Sequence, residues 1–384
     1  MAGTIGVVGG GITGASVAYY LSTRSDRRVV VFEREHVAAG TTAKSAGYVG
    51  FHGGNTRTHR ELMRYGIRLY NEFLSDPGTD VRHRTIGGLE LATTADGRAR
   101  LQSRYRAARD QADGGGSAKY FEGDALAGSM LLPDVNLDAV EAALFWPNYG
   151  FVEPAELAEE FAARARSAGA EFETGTEVTD ILGSGTVTGV ETGEGSVDVD
   201  HLVLAAGPWN EQLASSVGLD LPVRYSVAPA LLVEDPSGNA YPSLTHRESG
   251  VYLRQHHDRR VFLGHYQGDY HEATRENRAI PDAVPPETRT RILERAARLV
   301  PRLDRPTVRD EWVGLRSLTP DRNPIIGWTD VDGLSVATYN ATGIQHAPAA
   351  GDILSRQILD DDPTRQYEDV SVSRFDGYTD GRPS

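Results

Sequence analysis

The sequence predicts an α/β fold: a mainly parallel sheet that carries a dinucleotide, with a second lobe of antiparallel strands set into the chain. Three observations predict it. First, the apolar run Thr4–Val8 meets the turn Gly9-Gly10-Gly11-Ile12-Thr13-Gly14, and the next apolar run, Val29-Val30-Val31-Phe32, closes on Glu33. This is the strand, glycine turn, helix, strand and acid order of a Rossmann-like unit. Second, the run His201-Leu202-Val203-Leu204-Ala205-Ala206-Gly207 reads as a buried parallel strand that ends on small residues, close to that turn. Third, shorter strands with turn residues between them fill the intervening chain, the pattern of antiparallel sheet. At 384 residues the chain can bury one large core or two moderate ones, and two lobes are the default.

Each glycine of the first turn has its own task. Gly9 lets the chain turn, Gly11 lets backbone approach a pyrophosphate, and Gly14 lets the helix pack on the sheet. The helix N-terminus then holds phosphate charge. Glu33, 19 residues beyond Gly14, is placed to accept hydrogen bonds from a ribose diol and disfavours a 2′-phosphate, which argues against NADP.

Charge and composition exclude several functions. Lys+Arg 39 against Asp+Glu 54 gives a formal −15, and Lys44 and Lys119 are the only lysines. Such a surface stays hydrated in concentrated salt, so the expected location is a high-salt cytoplasm; a GC-rich genome favouring arginine is the rival account of the composition. A nucleic-acid partner wants a basic face and is excluded. No apolar run approaches the ~18 residues of a membrane span, and the first strand begins within a few residues of Met1, so neither a span nor a signal peptide is expected. Without cysteine there is no thiolate metal site and no cysteinyl link to a cofactor, and the histidines show no metal spacing.

Along the chain, Gly40–Gly47 is a small, hydroxyl-rich loop suited to lie against a cofactor, and apolar spacing over Arg60–Leu74 predicts a helix. Gly87–Leu91 reads as a strand entering the second lobe, and 96–113 as an arginine-rich, solvated helix followed by the loop Gly114–Ser117. A helix starts near Pro154, where proline favours the first turn, and ends near Gly169. A strand at Ala170–Glu173 and a meander around 178–181, 187–191 and 197–199 lead into 201–207. Aromatic-rich strands at Gly250–Arg254 and Arg260–Gly264 and a helix at Pro286–Leu299 form a second excursion. The chain returns through Trp312–Arg316 and Thr319–Gly327, a strand at 334–338, and a segment Asn340–Pro348 that opens the last helix; 376–384 reads as a frayed tail. The expected division is a cofactor domain of 1–84, 145–220 and 313–384, and a substrate domain of 85–144 and 221–312.

A cofactor lobe assembled from three segments, with a second glycine-bearing helix N-terminus, suits FAD better than NAD, because a helix dipole aimed at a redox ring is useful where negative charge develops. In its glycine turn, Gly40-Thr41-Thr42, Ala46-Gly47, Ala205–Trp209, Tyr252-Leu253-Arg254-Gln255, Trp312–Arg316 with Thr319-Pro320-Asp321, and Gly343–Pro348, the chain over about 4–360 resembles the D-amino-acid oxidase superfamily of FAD enzymes. Within it the chain is most similar to sarcosine and dimethylglycine dehydrogenases and the sarcosine oxidase β subunit. The resemblance implies hydride transfer to flavin from a carbon next to an amine nitrogen, giving an imine that hydrolyses. It implies FAD contacts at Gly9, Gly11, Ile12, Thr13, Gly14, Glu33, Arg34, Thr41, Thr42, Lys44, Ser45, Ala46, Val178, Ala206, Gly207, Gly343, Ile344 and Gln345. It also places Arg316 as the clamp on a substrate carboxylate, through two parallel hydrogen bonds, and Tyr252 in the pocket wall. Arg254 is a weaker candidate with a structural role; of the histidines, His52 and His346 are placed nearest the flavin, ahead of His256, His257 and His265.

Two departures shape the expectation. Lys44 stands where related dehydrogenases carry the histidine linked to FAD, so the flavin is expected to be non-covalent. Phe262 stands where sarcosine oxidase has an oxygen-promoting lysine, so an electron-transfer protein is favoured over oxygen as acceptor. The substrate is then a small amino acid or N-methylated glycine. A glycine or D-amino-acid oxidase, and a non-catalytic FAD-binding subunit of a heteromeric complex, are the competing readings.

Overall fold

The computed structural model describes residues 3–50, 56–109, 118–129, 134–235, 237, 242–265, 280–281, 283–359 and 368–377. The chain opens with β1 (Ile5–Val8), α1 (Ile12–Ser22), β2 (Val29–Glu33), β3 (Tyr48–Gly50) and α2 (Arg57–Leu74). Next come β4 (His83–Thr85), β5 (Gly88–Ala92), α3 (Ala95–Arg109), β6 (Lys119–Glu122), α4 (Asp124–Ala127), β7 (Ala142–Trp146), β8 (Tyr149–Val152) and α5 (Pro154–Ser167). The middle holds β9 (Glu171–Thr174), β10 (Val178–Gly183), β11 (Val187–Thr192), β12 (Gly195–Asp198), β13 (His201–Leu204) and α6 (Asn210–Ser216). It continues as β14 (Arg224–Val233), β15 (Ser243–His246), β16 (Val251–Gln255), β17 (Val261–His265) and α7 (Pro286–Leu299), then β18 (Val308–Leu318), β19 (Ile325–Trp328), β20 (Leu334–Thr338) and α8 (Gly343–Ile358).

The expected parallel sheet forms with the order β19-β20-β13-β1-β2-β9. β1 sits at its centre, parallel to β13 on one side and β2 on the other, in register Val8↔Leu204 and Val8↔Phe32. Because both faces of this sheet are covered, β1, β13 and β20 are buried throughout, the polar His201, Ser335 and Thr338 included. α1 is buried on nearly every side and packs against α5 and α8. The meander β10-β11-β12 stands apart as a three-stranded antiparallel sheet.

The second large sheet runs β18-β14-β17-β16-β15-β5-β7-β6 and is antiparallel except where β5 meets β15. Alternation sorts its side chains. Leu89, Leu91, Leu231, Leu253 and Leu263 pack beneath Ile292, Ala296 and Leu299 of α7. Their neighbours Gly88, Ala228, Tyr252, Gly264, Gly314 and Arg316 take the opposite face by the same two-residue period. A Cβ at Gly264 would lie 2.0 Å from Tyr252 Cζ, so the phenol lies flat across the glycine on the next strand. The boundaries expected at 144/145 and 312/313 fall inside β7 and β18, both paired within this sheet. Among the described residues, no helix is long and apolar enough to cross a membrane. The loop expected at Gly114–Ser117, His52 and the tail beyond Gly377 lie outside the described residues.

Candidate active site

A cavity of about 1080 Å³ is lined from both large sheets. Its wall includes Gly9, Gly11, Ile12, Thr13, Glu33, Arg34, Thr41, Thr42, Lys44, Ser45, Ala46, Val178, Ala206, Gly207, Gly343, Ile344 and Gln345, with Tyr252 and Arg316 from the eight-stranded sheet. Gly14 is not on the wall. A Cβ there would stand 1.8 Å from the Gly9 carbonyl oxygen, so its hydrogen is what allows α1 to close on the turn.

The first turn has the shape of a phosphate cradle. Gly9 has φ +104, and a Cβ on it would lie 2.6 Å from the Ala205 carbonyl oxygen; this is the close approach that the small end of β13 predicts. At Gly11 a Cβ would meet only Thr42 Oγ1, at 3.0 Å, so backbone is open to the cavity there. α1 begins without a side-chain cap or an acidic residue in its first turn, and the Ile12 N–H donates to Thr42 Oγ1 (3.0 Å). Positive helix-end charge thus faces the cavity, and no acid lies within the first turn of the helix itself. At the end of β2, the Glu33 carboxylate accepts from the Gly10 N–H (2.6 Å) and the Glu35 N–H (2.9 Å), which fixes its orientation. Asn210, which the sequence reading passed over, accepts from the Ala206 N–H (2.7 Å) and donates to the Ala337 carbonyl (2.9 Å), tying the loop after β13 to β20. Arg34 lays its guanidinium 4.1 Å from the Trp209 ring. These residues fit a dinucleotide: a helix end with open backbone at Gly11 for pyrophosphate and a held carboxylate for ribose.

The second helix end is built with equal care. α8 also starts without a side-chain cap or an acid in its first turn. Pro348, inside α8, has no N–H to give the Ile344 carbonyl, and the buried Tyr70 hydroxyl donates to that oxygen instead. Gly66 of α2 would place a Cβ 2.4 Å from the Gln345 carbonyl oxygen, so a side chain there would push α8 away from the cavity. His346 is buried behind the wall. Its Nδ1 lies 2.9 Å from Thr342 Oγ1 and 3.1 Å from the Thr342 carbonyl, and burial pushes its imidazole down to about 3. His59 of α2, its ring centroid 4.9 Å from that of His346, does line the cavity; its helix position carried no local signal of this.

On the substrate side, Arg316 is half-buried and its Nη2 donates to the Val227 carbonyl (3.4 Å). Tyr252 is 8% exposed, edge-on to Tyr48 at 6.0 Å. Glu90 accepts from Trp146 Nε1 (2.8 Å) and Arg104 Nη1 (2.7 Å), a wall element that the reading of 96–113 as a solvated helix did not foresee. Phe262, at 2% exposure, is sealed among Tyr252, Trp312 and Arg254 and is absent from the cavity wall, so it presents no side chain to the cavity. Arg254 is itself buried between the Phe151 and Phe262 rings, and its Nε donates to the Ala46 carbonyl (2.6 Å), bracing the loop that carries Lys44, Ser45 and Ala46. Burial lowers its pKa from the ordinary arginine value. Trp312 Nε1 donates to the Lys44 carbonyl (3.0 Å) and holds the same loop from β18.

The family model described as FAD dependent oxidoreductase matches residues 4–357. The chain belongs to this family, and FAD is its cofactor. It is 30% identical to the 4-methylaminobutanoate oxidase (formaldehyde-forming) of Paenarthrobacter nicotinovorans over 98% of this chain and 46% of that protein. It is 28% identical to the mitochondrial dimethylglycine dehydrogenase of Mus musculus over 97% of this chain and 44% of that one. The chain thus spans less than half the length of these relatives. The solved structure of glycine oxidase from Geobacillus kaustophilus superposes with a TM-score of 0.83 at 25% identity, covering 97% of this chain and 99% of that one.

Proposed function

We propose that the chain oxidises the C–N bond of a small amino acid or N-methylated glycine, with Arg316 clamping the substrate carboxylate. The observation that carries this is the presence of Arg316 and Tyr252 on the wall of the same cavity as the α1 and α8 helix ends. The lobe built on the six-stranded sheet is assigned to the cofactor, and the eight-stranded sheet, with β7 and β18 counted whole, to the substrate. FAD, when bound, supplies the acceptor for a hydride leaving the carbon next to the amine nitrogen.

The protein's own part is orientation. Arg316 is planar and always charged, so two parallel hydrogen bonds to a carboxylate set the direction of the rest of the substrate. Tyr252, flat over Gly264, supplies a rigid aromatic wall, and the small residues Ala228 and Gly314 leave room beside it. The amine must arrive neutral. Water attacks the imine only after the redox step.

Lys44 in place of a histidine supports non-covalent flavin. Acid precipitation is therefore expected to release FAD into the supernatant, and colour that stays with the denatured pellet would overturn this. Phe262 supplies no cation, which supports a dehydrogenase; Lys44, on the cavity wall, is the cation that would favour oxygen if its side chain turns toward the ring, and Lys44→Met tests it. The test is an anaerobic titration that follows flavin bleaching with sarcosine, dimethylglycine, glycine, proline and D-amino acids, then stopped-flow reoxidation. Bleaching with an N-methyl or small amino acid and slow recovery in oxygen is expected. Fast, oxygen-dependent recovery with stoichiometric peroxide would make the protein an oxidase, and no bleaching with any amine would make it a binding subunit.

A further inference from the structure

We propose that the cavity holds a second anion subsite, formed by Arg295 and Arg291 of α7 with Arg247 at the rim, and that the substrate is an amine bearing two carboxylates. One carboxylate sits on Arg316 and the other in this subsite. The inference rests on the reading of Arg316 as the first clamp.

The chain carries a formal −15, yet this end of the cavity is rich in arginine. Arg291 and Arg295 lie one turn apart on α7 and both line the wall, as does Arg247 from the turn between β15 and β16. Among the described residues no carboxylate pairs with any of the three. Neighbouring arginines are treated differently: Arg104 pairs with Glu90 (2.7 Å), Arg100 with Glu248 (3.2 Å), and Arg289 of the same helix with Glu311. Like charges held together without counterions repel, and a bound anion removes that cost.

Arg295 is also aimed. Its Nη1 donates to the Ser249 carbonyl (2.7 Å) and lies 2.7 Å from His265 Nε2. With one nitrogen anchored this way, the rest of the fork is pre-positioned for a carboxylate. His265 is pushed down to about 4, by burial first and then by the charges of Arg295, Arg291 and Arg316. It is therefore neutral at pH 7 and acts as an acceptor for Arg295. Arg291, Arg295 and Arg316 line the same cavity, as does His265, so the subsite and the clamp open onto one enclosed space.

The test uses unreactive thioether analogues on the FAD-loaded enzyme, read as a shift of the flavin absorption band. Methylthioacetate carries one carboxylate. Its partners carry a second carboxylate one to three methylenes from the sulfur, beginning with thiodiacetate. At least one dianion is expected to bind about tenfold or more tightly than the monoanion, as a charge-assisted pair of hydrogen bonds provides. In R291Q/R295Q that ratio is expected to fall toward one, and in R291Q alone, at an exposed position, to fall part of the way. Equal binding of monoanion and all dianions by the wild type, or a ratio unmoved in the variants, overturns the subsite and leaves the Arg316 reading in place. If neither class shifts the flavin, both readings fall.

Discussion

The bond from Tyr70 to the Ile344 carbonyl can be tested by removing it and then restoring its effect by another route. Pro348 deprives that carbonyl of its helical partner, and the hydroxyl of Tyr70, at 1% exposure, replaces it. Tyr70→Phe deletes the donor and leaves a buried acceptor unsatisfied, a loss of about 1–3 kcal/mol. Because Ile344 lines the cavity, the loss should appear as a lower flavin-release temperature at fixed FAD concentration and as faster FAD loss on dialysis. Pro348→Ala returns an N–H four residues after Ile344, so the same carbonyl regains a helical bond. In that background Tyr70→Phe should cost about 1 kcal/mol less, the coupling expected of two donors competing for one acceptor. The assay is a double-mutant cycle of denaturant unfolding at saturating FAD. An equal cost of Tyr70→Phe in both backgrounds would show that the hydroxyl does not compensate for the proline.

Arg316→Lys should raise the Kd of carboxylate ligands by about 10–100-fold with a near-normal flavin spectrum, because a point charge cannot copy the fork; equal handling of acid and amide forms of a ligand by wild type and variant would make Arg316 structural. Gly11→Val should abolish FAD binding through its side chain in the open approach beside Thr42, and a yellow variant would contradict this. His201, buried against Ser335 Oγ (2.9 Å), is pushed down to about 4 from 6.5, chiefly by burial. The unfolded chain therefore takes a proton that the folded chain refuses. This contribution to stability is complete above pH 6.5 and lost as pH falls through 4, so in His201→Asn the slope of unfolding free energy between pH 5 and 6 should shrink by nearly one proton. Finally, if the −15 charge is an adaptation to salt, melting temperature should rise from low to molar KCl, and a steady fall would refute it.

What the sequence showed plainly were the places where local chemistry and tertiary need coincide. Gly9 and Gly14 announce the first turn because a Cβ at either would strike backbone, Gly11 keeps backbone open to the cavity, and the apolar run 201–204 announces a strand with two buried faces. α7 begins at Pro286 and ends at Leu299 as read, since proline marks one end and the apolar period sets the length. Other features left no local trace. The parallel pairing of β5 with β15 joins Gly88 to Ser243, and nothing near either residue signals the partner. Arg104, Arg291 and Arg295 sit on amphipathic helices, where an arginine facing solvent and one facing a cavity have the same neighbours in sequence. Arg254, two residues beyond Tyr252 on the same face of β16, was read as structural, a role its burial suits. Its bond to Ala46, some two hundred residues earlier, was not legible.

The three-segment construction of the cofactor cavity also bears on how the protein is made. β2 pairs with β1 soon after Gly11, but the other partner of β1, β13, follows only after the meander, and Gln345 comes later still. At about 5–20 residues per second, β1 waits on the order of ten seconds or more for β13, and Gln345 follows Gly11 by on the order of half a minute. The complete FAD cavity therefore closes only once α8 has joined the wall that Gly9, Gly11 and Glu33 begin. Flavin capture in the complete cavity needs the chain through α8, so a cell short of flavin would accumulate apoprotein already made past Gln345 rather than stalled fragments.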